Sequence, residues 1–580
     1  MTDPLPTAGG PPADLPTRPL LPGPAMPSGP GGPTGPARRG PAPRHGGRHW
    51  RASRRIDRGR LLVAGAAVIA ALLLLPLLLV ILDARSAGWT EIHRVLFRRR
   101  SFVLLRNTVE LSFLVVLVAA TVGTAAACAT ERSRLPLRRL WTVLLVLPVA
   151  IPDFLVGFAW HTIAPTADAL VAATLVMSLG TYPLVYLPVA AALRRADPAM
   201  EETAYSLGVG RLQTFFRVTL PLIRTAVMGG CVLVALTVIS EYGAFEILRF
   251  QTFTTEVFGE FQTDARAAGS LAIPLVCLAL LVLTVEGLVP SRGAPGTRIS
   301  RVAAPVRRGW GTAAEVVGVG ALVALAVGVP LGTVAYWMAQ SHHTTLPAAA
   351  TVATATWTTV RYSAAGAAIA VLLALPVAMM SFRHSSSPRK LLERATFLTQ
   401  AVPGVVVAIS LVFLATHYAF RLYQSSALLV AAYVILHFPL ALVCVKTSVA
   451  QAPARLADVG RSLGRNPVAV FFRVTLPLLT PGLVAGFCLV FLTAVTELTA
   501  TLVLAPIGVH TLATQFWAFQ SEVAYGAAAP YALVIVAIAM IPGALLGLWF
   551  DRASHGRSSG SALPSPTSPR SPTSRPSLAA

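Results

Sequence analysis

The chain has 580 residues, 55% of them hydrophobic and only 12% charged. Soluble domains carry about 25% charged residues, so this composition suits lipid as its main solvent. A formal net charge of +23 would fit a nucleic-acid partner only if the basic residues formed one face of a soluble domain. They lie in short gaps between apolar runs instead, which excludes nucleic acid. The five cysteines sit singly in apolar stretches, which excludes a disulfide framework or a thiolate metal site.

In chain order, residues 1–60 are dense in Pro, Gly and Arg and bury too little apolar surface to offset the entropy of ordering, so they read as a disordered tail. The apolar run from Leu61 is too long, and begins too late, to be a signal peptide. About 20 apolar residues cross the hydrocarbon as a helix. On that measure twelve spans are predicted. Six lie at 61–82, 103–129, 140–160, 168–191, 222–240 and 269–289, and six at 312–337, 362–381, 396–416, 426–447, 479–496 and 526–550. The segment 290–311 reads as a basic linker, and residues 551–580, rich in Ser and Pro, as a second disordered tail.

Arginines before the first span and in the 2–3, 4–5, 6–7, 8–9 and 10–11 gaps place those gaps, and both termini, on the cytoplasmic side of the membrane. The 1–2 gap breaks the pattern with Arg94 and the run Arg98, Arg99 and Arg100. A basic tail beside an anionic leaflet also makes membrane lipid a partner.

The chain repeats itself. SLGVGRLQTFFRVTLPL begins at Ser206 and SLGRNPVAVFFRVTLPL at Ser462, an offset of 256, and the same offset pairs Pro183 with Pro439 and Glu241 with Glu497. Shared landmarks on both sides mark a repeated unit. A six-span unit preserves orientation, so the fold class is an all-α polytopic membrane protein of two parallel six-helix units, 61–289 and 312–550, with both repeated loops on one face. Such a pair suits a two-lobed pathway with pseudo-twofold symmetry.

The first loop, DPAMEETAYSLG, starts as a capped helix. Asp197 precedes Pro198 at the first helical position, and Glu201 and Glu202 fill the first turn. Gly208 suits the helix end, and Phe215 and Phe216 follow as apolar contacts. The second loop, PARLADVGRSLG, carries Asp458 where the first has Glu202 and Gly460 where it has Ala204. Loops normally vary, so agreement between two copies reads as a pair of docking knobs for cytoplasmic partners. Neither lysine, Lys390 or Lys446, follows a glycine, so the phosphate-binding pattern GxxxxGK[ST] is absent and any ATP must be hydrolysed by another polypeptide.

These loops resemble the marker EAAxxxGxxxxxxFxxxxLP of the integral-membrane component of bacterial binding-protein-dependent ABC importers. The first copy meets it through Glu202, Ala204, Gly208, Phe215, Leu220 and Pro221, with Thr203 in place of an alanine. The second meets it through Asp458, Gly460, Gly464, Phe471, Leu476 and Pro477, with Val459 and Gly460 in place of both alanines. Over residues 60–550 the chain is similar to the fused two-unit permeases of ferric iron importers, through segments such as LPVAIPDFLVGFAW, ISEYGAFEILRFQTFTTEVF and TELTATLVLAPIGVHTLAT. The resemblance implies a permease of the bacterial plasma membrane that is not itself an enzyme and holds no cofactor. It implies two ATP-binding cassette ATPase subunits, carrying ATP and Mg, on the loops, and an extracytoplasmic substrate-binding protein outside. It leaves thiamine, phosphonate and sulfate as alternative cargoes. An ion-coupled secondary transporter is the rival of another class, disfavoured by the two loops.

Glu241 and Glu497 fall at the outer ends of the spans that follow the loops. Charge in lipid is costly, so they should face the pathway or a docking protein, and paired carboxylates suit a hard cation. His437, inside a span, is a further candidate. The other histidines lack ligand spacing.

Overall fold

In the computed structural model, residues 58–133, 135–197, 199–288, 311–341, 346–383, 395–396, 398–452 and 454–555 are described. Most of the two expected tails and nearly all of the expected linker lie outside these residues; residues 58–60 and 551–555, expected as tail, are helical ends of α1 and α23. Every regular element among them is helical.

The first half comprises α1 (Arg58–Ala87), α2 (Trp89–Leu96), α3 (Arg99–Arg132), α4 (Arg138–Val146), α5 (Asp153–Ile163) and α6 (Ala169–Arg195). It continues through α7 (Ala199–Ser206), α8 (Arg211–Thr214), α9 (Leu220–Ser240), α10 (Gly243–Ile247), α11 (Phe253–Thr263) and α12 (Ala265–Leu288). The second half comprises α13 (Gly311–Val323), α14 (Val329–Gln340), α15 (Ala349–Arg383), α16 (Gly404–Tyr418), α17 (Ser426–Gln451) and α18 (Ala454–Ser462). It ends with α19 (Pro467–Val470), α20 (Leu476–Val495), α21 (Thr499–Leu504), α22 (Leu512–Ser521) and α23 (Tyr525–His555).

Ten helices among the described residues are long and apolar enough to cross a membrane, against the twelve spans expected. The two that differ occupy equivalent places. The expected span 140–160 is a pair of helices bent by 92° between Ala150 and Asp153. The expected span 396–416 overlaps α16, whose 15 residues fall short of a bilayer crossing. Proline is the cause in both. Pro152 offers no N–H and forces Ile151 into an extended conformation at φ −98°, ψ 119°; Pro403 stands before α16 in the same way.

Each half builds a three-helix core, α3 with α6 and α9, and α15 with α17 and α20. Small residues let the backbones close up. A Cβ on Gly230 of α9 would lie 2.7 Å from Val185 Cα of α6, so only glycine fits there. The opening helices are exchanged between halves. α1 packs on α15 and α16 of the second half, while α14 packs on α5 and α13 on α4 of the first. Two large hydrophobic clusters each mix residues from both halves as a result, Leu73 with Val405 in one and Phe154 with Phe516 in the other.

Two of the four arginines in the anomalous basic gap have local partners. Arg98 bonds Glu256 at 2.8 Å and Glu260 at 2.9 Å, and Arg100 bonds Glu256 at 2.6 Å. Arg98 and Arg100 thus answer acids on α11.

Candidate functional site

The two repeated loops fold alike. Asp197 Oδ1 accepts from the Ala199 N–H at 3.0 Å, providing the expected cap. α7 closes with the Val209 N–H donating to the Ala204 carbonyl at 3.0 Å, and α18 with the Arg465 N–H donating to the Gly460 carbonyl at 3.3 Å. This closure needs a left-handed residue just past the helix, and Gly208 (φ 78°) and Gly464 (φ 76°) supply it. The turn that follows pushes Leu207 and Leu463 into the open, at 77% and 75% exposure. A leucine held out at the same point of both copies is a ready contact for another protein.

The difference between the copies is compensated by packing. Gly460 leaves room for a bulkier neighbour: a Cβ there would come within 3.1 Å of Val470 Cγ2. In the first copy the equivalent pair is Ala204 with the smaller Thr214, both buried. In each copy FFRVT forms a π-helical turn, Phe215–Thr219 and Phe471–Thr475, joined directly to the span that begins at Leu220 or Leu476 with Pro221 or Pro477 in its first turn. The paired rings Phe215 and Phe216, and Phe471 and Phe472, meet edge to face at 5.2 Å. Phe215 and Phe471 are half-buried and their neighbours exposed. The π-turns left no mark in residue spacing. Glu202 is exposed, whereas Glu201, read from sequence only as a first-turn acid, is half-buried and accepts from Arg132 Nε at 3.2 Å.

α9 rises about 32 Å at 1.5 Å per residue, so Glu241 at its end lies on the face opposite the loops. Both candidate carboxylates stand where a span breaks into a short helix, and both cap it. Glu241 Oε1 accepts from the Ala244 N–H at 2.8 Å and Glu497 Oε1 from the Ala500 N–H at 3.0 Å. They approach one another across the halves, together with Asp153 at the head of α5: Phe154, beside Asp153, and Leu498, beside Glu497, both pack at Gly243, two residues past Glu241. A Cβ on Gly243 would touch Phe154 Cβ at 2.9 Å and Leu498 Cδ2 at 2.8 Å, which fixes how tightly the three acid-bearing breaks converge. Asp153 escaped the sequence reading, although it follows directly on the proline that breaks its span. His437 is buried in α17 with Nε2 free of any hydrogen bond. Among the described residues no group of three or more His, Cys, Asp or Glu has the geometry to hold a metal ion.

Beside this convergence, the Tyr242 ring lies tilted against Phe258 of its own half and Trp517 of the other, at 4.2 and 5.6 Å between ring centres. These rings line a cavity of about 460 Å³ together with His161, Glu246, Arg249 and Gln520. Arg249 holds a left-handed backbone, φ 55°.

These features define a class: a multi-pass, internally duplicated helical membrane protein with twin exposed loops on one face and a polar cavity between its halves on the other. A family model described as binding-protein-dependent transport system inner membrane component matches residues 119–290 and 366–559, and the chain belongs to that family. It is a transport permease and not an enzyme. It is 35% identical over 483 residues to the Fe(3+)-transport system permease protein FbpB 2 of Haemophilus influenzae, covering 82% of this chain and 95% of the relative. It is 20% identical over 512 residues to the ferric transport system permease protein FbpB of Actinobacillus pleuropneumoniae, covering 79% of this chain and 72% of the relative. The sulfate transport system permease protein CysW of Synechocystis sp. is 28% identical over 238 residues, which is 36% of this chain but 85% of that relative.

Proposed function

We propose that the chain forms the pathway of an ATP-driven ferric iron importer in the bacterial plasma membrane, with both termini and both loops in the cytoplasm. Separate ATP-binding subunits seat on α7 and α18, against Leu207 and Leu463, with Glu202 and Asp458 on the same surface. A binding protein outside delivers cargo to the cavity above Tyr242. The twin loops carry this reading: two exposed surfaces of matching backbone call for two matching partners, and each is joined through a π-turn to a span that ends beside the opposite mouth. Motion at a loop is thereby passed to Glu241 or Glu497.

The iron assignment rests on the named relatives, of which one matches along nearly its whole length, and on the chemistry of the convergence. Asp153, Glu241 and Glu497 offer oxygen, which suits a hard cation. Two of them are already engaged as caps, which favours brief contact over tight retention, as passage requires.

The test is uptake into vesicles holding this chain, its ATP-binding subunits and its binding protein. ATP-dependent entry of radiolabelled ferric ion well above that of sulfate or thiamine is expected. Uptake of sulfate or thiamine in preference would overturn the iron assignment, and uptake without ATP-binding subunits would overturn the ATP-driven mechanism.

A further inference from the structure

The two loops share a backbone but not a footing. In the first, Glu201 Oε1 accepts from Arg132 Nε at 3.2 Å and from Thr219 Oγ1 at 3.0 Å. Arg132 is the last residue of α3, and Thr219 is the last residue of the π-turn that opens into α9. One carboxylate therefore ties the exposed helix α7 to two spans of the first core. The tie is sheltered, with Glu201 13% and Arg132 22% exposed, whereas ion pairs in open water contribute little. Close by, Glu131 bonds Arg138 and Arg194, the latter at 2.8 Å, fastening α3 to α4 and α6 at the same end.

In the second copy Thr475 stands where Thr219 does, but Ala457 replaces Glu201. The acid beside it, Asp458, is exposed and bonds Arg461 at 2.5 Å. That pair joins two residues of α18 itself. Alanine has no group with which to grip a neighbouring helix.

We propose that Glu201 is the positioning residue through which movement of the first loop reaches α3 and α9, so that the two loops act inequivalently and the first is the stiffer lever. This rests on the function proposed above. A carboxylate held by donors from two helices cannot shift without drawing them along, and removing one member of a sheltered pair strands the other. Arg132 has reach to spare. Its Nη2 is buried without a partner, so the guanidinium holds Glu201 through one nitrogen, and a small turn of α7 would make the pair two-pronged and stronger.

The experiment uses the complete transporter in vesicles and measures three quantities: ATP-binding subunits retained per chain, ATP hydrolysed, and cargo moved. Glu201→Gln should retain subunits and hydrolysis but move roughly tenfold less cargo per ATP, the size expected for losing a charge-assisted hydrogen bond. The exchanged pair Arg132→Glu with Glu201→Arg should recover much of that ratio. If Glu201→Gln fails to assemble, Thr219→Val removes one donor alone and should lower the same ratio by a smaller factor. An unchanged ratio in Glu201→Gln, or in Thr219→Val where that is the variant read, overturns the latch, as does an exchanged pair as poor as the single variant. A wild-type chain that retains no ATP-binding subunits overturns the function proposed above and leaves a distinct signature, since no ratio can then be formed.

Discussion

At position 460 a single methyl group separates two versions of the same loop. The first copy pairs Ala204 with Thr214, and the second pairs Gly460 with Val470, whose Cγ2 would sit 3.1 Å from an added Cβ. Gly460→Ala alone should therefore crowd the loop and cost about 1–3 kcal/mol, the range for overpacking. Gly460→Ala with Val470→Thr recreates the first copy's pair and should recover most of the loss. Thermal unfolding in detergent of the two single variants and the double one measures the coupling, which is expected to exceed about 0.5 kcal/mol, as for residues in contact. Strict additivity would show that the two residues do not share a cavity. Gly208 and Gly464 follow another logic, since their left-handed backbones turn the chain so that Leu207 and Leu463 face outward.

Helices in this protein are positioned by how closely their backbones approach. α9 meets α6 at Gly230, where there is no space for any side chain. Gly230→Leu should lower the midpoint of thermal unfolding in detergent by several degrees, in line with an overpacking cost of about 1–3 kcal/mol. The same change at Gly229, where a Cβ would meet nothing within 4 Å, should leave the midpoint nearly unmoved; equal effects at the two positions would contradict the packing described. The broken elements act differently. At Pro152 and Pro403 the chain gives up a continuous crossing, and α5 and α16 instead bring their first residues to the centre. Gly404, the first residue of α16, is so near Glu497 that its Cβ would stand 3.3 Å from Oε1. Breaking a span exposes backbone that lipid cannot satisfy, and such breaks persist only where protein or a watery cavity surrounds them. Their place between the halves meets that condition.

The molecule as a whole is held together by exchange. α1 belongs to the first half in sequence but packs on α15 and α16, and α13 and α14 return the arrangement against α4 and α5. Ring contacts cross in the same way, Phe154 and Phe158 each lying 5.4 Å from Phe516. A chain divided between residues 289 and 311 should accordingly yield halves that are degraded or aggregate when produced singly and co-purify when produced together. Tagging one half and measuring recovery of the other checks this. Two halves that are each stable alone would contradict exchanged packing, because each would then expose a long apolar surface without penalty.

Solvent class, duplication and the two loops could all be read from the residues alone. Those properties rest on local composition and on an offset that any packing must obey, and the loop caps at Asp197 and Gly208 were legible because capping is a matter of neighbouring residues. The tertiary structure decided the rest. Expected spans 140–160 and 396–416 read as continuous because hydropathy sums side chains and ignores the N–H that proline lacks. Glu241 and Glu497 stood out as a pair. Only folding brought Asp153 to them, from a span of its own, and set both glutamates to capping. Glu201 looked like a first-turn acid beside Glu202, because its partners Arg132 and Thr219 lie in other helices, and no spacing along the chain records a contact made between them.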